Sequence, residues 1–302
     1  MDIAVIGSNM VDLISYIDRM PQEGETVEAP GFSIGCGGKG ANQAVAAARL
    51  GSEVFMLTRV GNDVFADNTI ENFRLNGIDT EYVLRTDSTS GVAPIFVDPQ
   101  SHNSIIIVKG ANGFLTPKDI DDAAEKIAGC KLIVLQLEIP LESVYAAIQF
   151  GKEHDIPVLL NPAPAQPDLE LEKVKDCTYF VPNESELSLL TGMPVDTIAD
   201  IENAANALLD AGIRDVIVTL GSKGALWVNA EGSTRFEAPK VNAIDTTGAG
   251  DAFIGCFSHE LVTSGDVEIA ITTAIRYASD SVTRKGTQTS YATAEQFNSS
   301  QR

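Results

Sequence analysis

The strongest candidate for chemistry in this sequence is the stretch Asp245-Thr246-Thr247-Gly248-Ala249-Gly250-Asp251, which is followed by the apolar run Ala252–Gly255. Glycines directly before a helix leave its first N–H groups free and let the backbone approach an anion closely. We expect the amides from Gly248 to Asp251, including those of Ala249 and Gly250, to point at one spot, helped by the helix dipole. The carboxylate of Asp251 can then accept a proton from a hydroxyl beside that anion, as phosphoryl transfer requires. The alternative is an ordinary N-cap of a core helix, which does not explain why two glycines and two aspartates share one turn.

A second glycine-rich stretch is Gly35-Cys36-Gly37-Gly38-Lys39-Gly40-Ala41-Asn42-Gln43. Its glycines let the backbone come close to a ligand, Lys39 offers a point charge, and Asn42 offers an amide that both donates and accepts. The alternative is a flexible loop with a solvated lysine. The stretch is not a Walker A loop, because the pattern G-x-x-x-x-G-K-[ST] is absent around it.

Two weaker signals follow apolar runs. The first is Pro182-Asn183-Glu184-Ser185-Glu186, where acidic residues lie between the end of a strand and the start of a helix. Such residues can hold Mg²⁺ through water. The alternative is a capping box that only starts the helix. The second is Thr219-Leu220-Gly221-Ser222-Lys223-Gly224, a glycine turn at the end of a strand. It can bind nucleotide phosphates, and the alternative is that it only forms a hairpin.

Composition limits the possible partners. The chain has 302 residues and a formal net charge of −21, so nucleic-acid and membrane-surface partners are disfavoured. An anionic nucleotide is repelled as well, and its site must be built locally from amides, a lysine and a metal ion. Four scattered cysteines and three histidines make a zinc site improbable and predict reduced thiols. The N-terminus lacks a basic region and a long apolar stretch, so we expect a cytoplasmic protein without a signal peptide or membrane span.

Short apolar runs alternate with segments of helical period, which predicts an α/β fold with a mostly parallel, doubly wound sheet flanked by helices. The predicted strands are Ile3–Ile6, Val54–Leu57, Leu132–Leu137, Val158–Leu160 and Val216–Leu220. The predicted helices are Ala41–Leu50, Phe65–Asn76, Leu141–His154, Ile201–Asp210 and Ala249–Val262.

Two insertions, at about 10–35 and 90–108, interrupt this alternation and contain β-type residues without a convincing helix. Their extended segments are predicted at Val11, Leu13, Thr26–Phe32, Val92–Val97 and Ser104–Val108. We expect them to pair as a small separate β-sheet that acts as a lid on one catalytic domain spanning residues 1–302. The polar tail Phe297–Arg302 is expected to fray.

Taken together, these residues resemble the ribokinase (PfkB) family of carbohydrate kinases, and the likeness spans nearly the whole chain. The matching motifs are Gly7-Ser8 with Asp12, Gly37–Asn42, Asn161-Pro162-Ala163-Pro164, Asn183–Glu186, Thr219–Gly224 and Asp245–Asp251. Within the family the chain is more similar to the bacterial deoxyribokinases than to ribokinases proper. The resemblance implies a ribokinase-like fold, a cytoplasmic ATP-dependent kinase with a pentose as substrate, and a homodimer formed through the lid.

The same resemblance assigns roles to residues. Asp251 matches the catalytic base, and Gly248, Ala249 and Gly250 match the anion hole. The matching sugar contacts are Asp12, Gly38, Lys39, Asn42 and Glu138, together with Asp251. The matching nucleotide contacts are Asn183, Thr219, Gly221, Ser222, Lys223, Gly224 and Gly250. Glu186 matches a position associated with Mg²⁺. A monovalent cation, K⁺ in our expectation, is surrounded by Asp245, Thr247, Ser281, Arg284, Gly286 and Ser290, several of them through backbone oxygens.

One position departs from the family pattern. Where ribokinases have Gly-Ser-x-Asn-x-Asp, this chain has Gly7-Ser8-Asn9-Met10-Val11-Asp12. In an extended strand Met10 shares a face with Asp12, and Asn9 points to the other side. A thioether leaves a sugar hydroxyl unpaired at a cost of about 1–3 kcal/mol, so we expect phosphorylation of the 5-hydroxyl of 2-deoxy-D-ribose, with ribose as a poorer substrate. The alternatives are that Met10 only fills the core, that the chain is a ribokinase proper or a kinase for another substrate, or that it binds sugar without catalysis.

Overall fold

The computed structural model describes residues 1–99 and 103–300 and contains two β-sheets of unequal size. The strands are β1 Ile3–Ile6, β2 Met10–Tyr16, β3 Gly31–Gly37, β4 Val54–Val60, β5 Val83–Arg85, β6 Val92–Val97, β7 Asn103–Ile105, β8 Leu132–Leu135, β9 Val158–Leu160, β10 Tyr179–Phe180, β11 Asp215–Thr219, β12 Ala225–Asn229 and β13 Gly232–Phe236. The helices are α1 Lys39–Leu50, α2 Val64–Leu75, α3 Pro117–Asp122, α4 Ala124–Ala128, α5 Leu141–Glu153, α6 Leu171–Val174, α7 Glu184–Thr191, α8 Ile198–Asp210, α9 Ala249–Ser264, α10 Val267–Ser281 and α11 Ala294–Ser300.

The large sheet has the strand order β13-β12-β11-β10-β9-β8-β1-β4-β5 and is parallel from β5 to β11. Because side chains alternate along a strand, the apolar run of β1 supplies both faces. Ile3 and Val5 lie in the core beneath α1 and α9, whereas Ala4 and Ile6 lie in the core beneath α5 and α8. The predicted doubly wound architecture is confirmed.

The element boundaries agree with the sequence within a few residues. Strands β1 and β9 match the prediction, β8 ends two residues earlier at Leu135, and β4 continues to Val60. Helix α10 was not predicted, although Asp266 caps it by accepting a hydrogen bond from the Ile269 amide at 3.0 Å. The turn after Thr219 leads into β12, which is antiparallel to β11, so the hairpin expected there as one alternative is present.

The small sheet, as we call strands β2, β3, β6 and β7, has the order β3-β2-β6-β7 and is built from both predicted insertions. The extended segment expected at Thr26–Phe32 is wrong for most of its length, because β3 begins only at Gly31. The strand expected at Ser104–Val108 ends at Ile105, with one further bridge between Val92 and Val108. Residues 100–102 of the second insertion lie outside the described residues.

The end of the chain is more ordered than the sequence predicted. Helix α11 continues to Ser300, and Phe297 is buried against Tyr277, so the expectation of a frayed tail is wrong for residues 297–300, while residues 301–302 lie outside the described ones. No helix in the described ranges combines the length and the apolar character that a bilayer crossing demands.

Candidate active site

The candidate site lies at the carboxyl end of the parallel strands, where ligands bind in doubly wound sheets. Successive strands are followed there by polar residues. These are Ser8 after β1, Glu138 after β8, Asn161 after β9, Asn183 after β10 and Thr219 at the end of β11. The strand order of the large sheet thus brings together residues that are far apart in the sequence.

Two cavities meet at this edge, one of about 940 Å³ and one of about 210 Å³. The residues that line both are Asn183, Thr219, Thr246, Ala249 and Gly250. Asp251 lines only the smaller cavity. A long ligand in the larger cavity can therefore extend one end past Gly250 toward the carboxylate of Asp251.

The first turn of α9 presents free amides as predicted, with one exception. Among the described residues, the N–H groups of Gly248, Gly250 and Asp251 have no acceptor, whereas that of Ala249 donates to the carbonyl of Thr246 at 3.3 Å. The expectation that Ala249 contributes its amide is therefore corrected. The positive end of the helix dipole adds to the three free donors, so this turn is suited to hold an anion.

Gly248 occupies a position that no other residue fits without strain. Its φ of 74° is left-handed, and a Cβ there would lie 2.4 Å from Cγ2 of Thr287. The hydroxyl of Tyr291 donates to the carbonyl of Gly248 at 2.9 Å. The loop before α11 thus packs against the first turn of α9 and helps to fix its conformation.

The carboxylate of Asp251 is only 7% exposed and is held by two amides. Nδ2 of Asn42 donates to Oδ2 at 2.9 Å, and Nε2 of Gln43 donates to Oδ1 at 3.0 Å. Both donors belong to α1. This helix can approach α9 closely because Gly255 has no side chain: a Cβ there would lie 2.4 Å from Cβ of Ala46. The close helix contact therefore joins the two glycine-rich stretches of the sequence in one site.

Lys39 lies at the smaller cavity and within the electrostatic range of three carboxylates. Burial lowers the pKa of Lys39, but the charges of Asp251, Glu138 and Glu186 outweigh this and raise it overall. Lys39 therefore carries a positive charge at the wall of the smaller cavity.

Glu138 supports the start of α1. Its Oε2 accepts hydrogen bonds from the hydroxyl of Ser8 at 2.5 Å and from the amide of Lys39 at 2.9 Å. One carboxylate oxygen of this predicted sugar contact thus holds the backbone that positions Lys39.

Asp12 and Met10 lie on one face of β2, in the small sheet. Burial is the main cause that raises the pKa of Asp12 to about 7, and the charges of Glu138 and Asp251 add to it. The carboxyl of Asp12 therefore interacts electrostatically with these two carboxylates. Met10 is 2% exposed, and its Sδ lies 3.7 Å from Nδ2 of Asn112. The sequence-based pairing of Met10 with Asp12 on one face is confirmed by the strand register.

The larger cavity is lined by most of the predicted nucleotide contacts. These are Asn183, Thr219, Gly221, Ser222, Gly224 and Gly250. Lys223 does not line it, and its ammonium pairs instead with Glu184 at 3.2 Å. Lys240 lines the cavity although it belongs to none of the motifs selected from the sequence.

Asn183 and Glu186 form the capping box that the sequence left as an alternative. Oδ1 of Asn183 accepts from the amide of Glu186 at 2.8 Å, and Oε2 of Glu186 accepts from the amide of Asn183 at 2.9 Å. Glu186 also lines the smaller cavity, and burial raises its pKa. Within the described residues no group of three or more acidic, histidine or cysteine side chains is arranged to hold a metal ion.

The residues assigned to a monovalent cation lie in one corner of the molecule. Asp245 accepts from the amides of Thr247 and Gly286, each at 2.9 Å, and these amides hold its pKa below the usual range despite burial. The guanidinium of Arg284 donates to the carbonyl of Ser290 at 2.9 Å, and its backbone amide donates to the carbonyl of Ser281 at 3.1 Å.

Several residues of the site were not predicted. Nε2 of Gln43 donates to Oδ1 of both Asn161 and Asp251, and Nε2 of Gln288 donates to Oδ1 of Asn42. Nε2 of Gln136 donates to Gln43, while its Oε1 is buried with no partner among the described residues. Gln43 adjoins Asn42 in the sequence, but its contact with Asp251 depends on helix packing across 208 positions.

The family model described as "pfkB family carbohydrate kinase" matches residues 1–294. The deoxyribokinase of Salmonella typhi is 62% identical over 299 residues, covering 99% of this chain and 98% of that protein. Two solved structures are similar over 99% of this chain. The ribokinase of Thermotoga maritima has 36% identity, a TM-score of 0.90 and 98% of its own chain covered. The Arabidopsis thaliana ribokinase, complexed with ribose and ATP, has 31% identity, a TM-score of 0.93 and 97% covered.

This chain belongs to the pfkB family of carbohydrate kinases. It is a phosphotransferase with an alcohol group as acceptor, and its nearly full-length likeness to ribokinase structures agrees with its doubly wound fold.

Proposed function

We propose that this protein transfers the γ-phosphoryl group of ATP to the 5-hydroxyl of 2-deoxy-D-ribose, with ribose as a poorer substrate. The observation that carries the proposal is the position of the Asp251 carboxylate. It lies beside the free amides of the α9 turn, at the point where the larger cavity meets the smaller one. A base and an anion cradle within one turn are the parts that phosphoryl transfer to an alcohol needs.

In the proposed reaction, the nucleotide occupies the larger cavity and its γ-phosphoryl oxygens face the amides of Gly248, Gly250 and Asp251. Lys39 adds a positive charge to the same region. The sugar lies between Asp12 and Asn42, with its 5-hydroxyl against Asp251. Asp251 accepts the hydroxyl proton while the new oxygen–phosphorus bond forms and the bond from the γ-phosphorus to the β–γ bridging oxygen breaks, releasing ADP.

The residues present fit a Mg²⁺ ion that binds with the nucleotide. Mg²⁺ keeps several waters and is usually bound by one or two carboxylates plus substrate phosphates, and Glu186 supplies a carboxylate at the smaller cavity. We assign Glu186 to this ion through water. When bound, the ion neutralises charge on the phosphates.

The preference for 2-deoxy-D-ribose rests on Met10. It shares a face of β2 with Asp12, and its Sδ offers a sugar hydroxyl only a weak acceptor. A hydroxyl left unpaired there costs about 1–3 kcal/mol, and a sugar without that hydroxyl avoids the cost. The 62% identity to a protein named deoxyribokinase supports the same assignment.

The experiment is an ADP-release assay on a panel of sugars, comparing kcat/KM for 2-deoxy-D-ribose and ribose. The wild type should prefer the deoxy sugar by about 10- to 100-fold, and Met10→Asn should move the preference toward ribose. The control is Met20→Asn, an exposed methionine in the same insertion, which should keep the wild-type preference. A wild type that prefers ribose would assign it as a ribokinase, and no turnover of any sugar would reject the proposal.

We also propose that K⁺ binds in the corner around Asp245, through backbone oxygens near Ser281, Gly286 and Ser290. Asp245 supplies a carboxylate there, and its contacts with Thr247 and Gly286 join the loop before α9 to the loop before α11. Activity should therefore rise when K⁺ is added to enzyme freed of monovalent cations. Equal activity with K⁺ and with a bulky organic cation would reject this site.

Finally, we propose a cytoplasmic homodimer formed through the small sheet. Leu13 pairs with Ile34 and Ser15 with Phe32 in the register of β2 and β3, so this face is opposite to that of Asp12. Phe32 is 60% exposed and Ile34 is 55% exposed, and apolar side chains grouped on one sheet face mark an interaction surface.

Light scattering tests the dimer. The wild type should have twice the chain mass, and Ile34→Asp should be a monomer. Ile269→Asp, an exposed apolar position on α10, is the control that should remain dimeric. A monomeric wild type would reject the interface.

A further inference from the structure

Oxygen Oδ2 of Asp251 is the last acceptor in a chain of side-chain hydrogen bonds that starts at a guanidinium. From donor to acceptor, the members are Arg49, Asn76, Asn72, Gln288, Asn42 and Asp251. The successive distances are 2.8, 3.4, 2.9, 2.9 and 2.9 Å. We call this chain the amide relay. At its longest step Nδ2 of Asn76 is shared between two acceptors of Asn72, the side-chain oxygen at 3.4 Å and the backbone carbonyl at 2.8 Å.

The two ends of the amide relay fix the orientation of every amide between them. A primary amide donates through nitrogen and accepts through oxygen, whereas a guanidinium only donates and a carboxylate only accepts. Arg49 must therefore meet the oxygen of Asn76, and Asp251 must receive the nitrogen of Asn42. Turning one amide around sets like groups against each other, and a buried polar group without its partner is unfavourable.

Gln288 is the member that joins two parts of the site. Its side chain is 6% exposed and bridges Asn72 on α2 to Asn42 on α1. Its backbone carbonyl accepts from Arg49, which also donates to the carbonyl of Tyr291 at 2.9 Å. The side chain that starts the amide relay thus also holds the loop that carries Gln288.

We propose that Gln288 is a positioning residue for Asp251 that acts through Asn42, and that the amide relay extends this dependence to Asn72. The inference rests on the proposed role of Asp251 as the base. With Gln288 in place, Asn42 can present only its nitrogen to Oδ2. Without it, the Asn42 amide can turn and the carboxylate loses a fixed donor. Misplacement of a catalytic group lowers turnover, while the nucleotide cavity, which Gln288 does not line, is left unchanged.

The test is a double-mutant cycle on the full-length protein, with Asn72→Ala, Gln288→Met and both together. Gln288→Met should lower kcat by at least about 10-fold and leave KM for ATP within about twofold. Because Gln288→Met already interrupts the amide relay, adding Asn72→Ala should lower kcat no further. The control is Asn203→Ala, an exposed helical asparagine on α8, which should match the wild type.

An isosteric variant separates orientation from space filling. Gln288→Glu keeps the shape but sets an acceptor against the acceptor oxygen of Asn42, so its kcat should fall below that of Gln288→Met. A residue that only fills space predicts the reverse order. If Gln288→Met does not fold, Asn72→Ala and Gln288→Glu still report on the amide relay.

The outcomes separate this inference from the proposed function. An inactive wild type on every sugar rejects the proposed function itself. An active wild type whose kcat is unchanged by Gln288→Met, or a cycle in which the Asn72→Ala effect is equal in both backgrounds, overturns the amide relay and leaves the base assignment standing. Non-additive losses of kcat, with the expected order of Gln288→Glu and Gln288→Met, support it.

Discussion

Nδ2 of Asn42 lies 2.9 Å from Oδ2 of Asp251, although the two residues are 209 positions apart in the sequence. The contact joins the first turns of α1 and α9, two helices that each follow a glycine-rich stretch. The groups that we propose to bind sugar and to accept the proton are thereby fixed by one helix–helix interface. The following predictions depend on that geometry.

Gly248→Ala should damage both stability and activity. A side chain at a left-handed φ costs about 1–2 kcal/mol, and here its Cβ would also clash with Thr287. Gly265→Ala is the matched control, because its φ is 73° but no other atom lies within 4 Å of the added Cβ. Denaturant unfolding and kcat should show a larger loss for Gly248→Ala, and equal losses in both variants would contradict the role of the clash.

Asp12 should make stability depend on pH. Its pKa of about 7 in the fold lies above the ordinary value of 3.8, so the folded protein keeps a proton that the unfolded chain loses. The stability from this proton is complete below about pH 4 and is lost as pH rises through 7. Relative to wild type, Asp12→Asn should therefore be more stable at pH 8 than at pH 5 by about 2 kcal/mol.

Unfolding in urea at the two pH values measures this difference, with the exposed Asp18→Asn as the control from the same insertion. A difference between Asp12→Asn and wild type that stays constant from pH 5 to pH 8 would show that Asp12 is not protonated in the fold.

Lys39→Met should impair phosphoryl transfer strongly. The variant leaves the carboxylates of Asp251, Glu138 and Glu186 without the cation among them, and the polyphosphate then meets a larger excess of negative charge. We expect kcat/KM for ATP to fall by at least about 100-fold. Lys152→Met, which removes an exposed lysine paired with Asp176, is the charge-matched control. Similar kinetics for both variants would remove Lys39 from the site.

Much of the fold follows from local sequence patterns. Buried parallel strands such as Ile3–Ile6 are continuous apolar runs, and α9 begins where Gly248 ends the loop before it. Helix α10 was missed although Asp266 and the spacing of Ala270, Ile271 and Ala274 indicate it. Strand β13 was missed because most of its residues are exposed and polar, so it lacks the apolar alternation that marks a strand.

The site was predicted in its parts but not in its connections. Glycine, lysine and aspartate in short motifs have local signatures, and these motifs do meet around Asp251. Gln43 and Gln288 have none, because their role depends on which amide lies opposite each of them in the fold. Glu186 shows a further limit of prediction from sequence. It belongs to a capping box and also lines the smaller cavity, and the local sequence pattern does not distinguish these two roles.

The measurement that tests the central claim most directly is the activity of Asp251→Asn with 2-deoxy-D-ribose, alongside its affinity for ATP. The substitution removes the proton acceptor while keeping the size of the side chain. We predict that kcat falls by about 10²- to 10⁴-fold and that Kd for ATP stays within about threefold of wild type. A variant that folds, binds ATP and phosphorylates the sugar at a near-normal rate would contradict the assignment of Asp251 as the base.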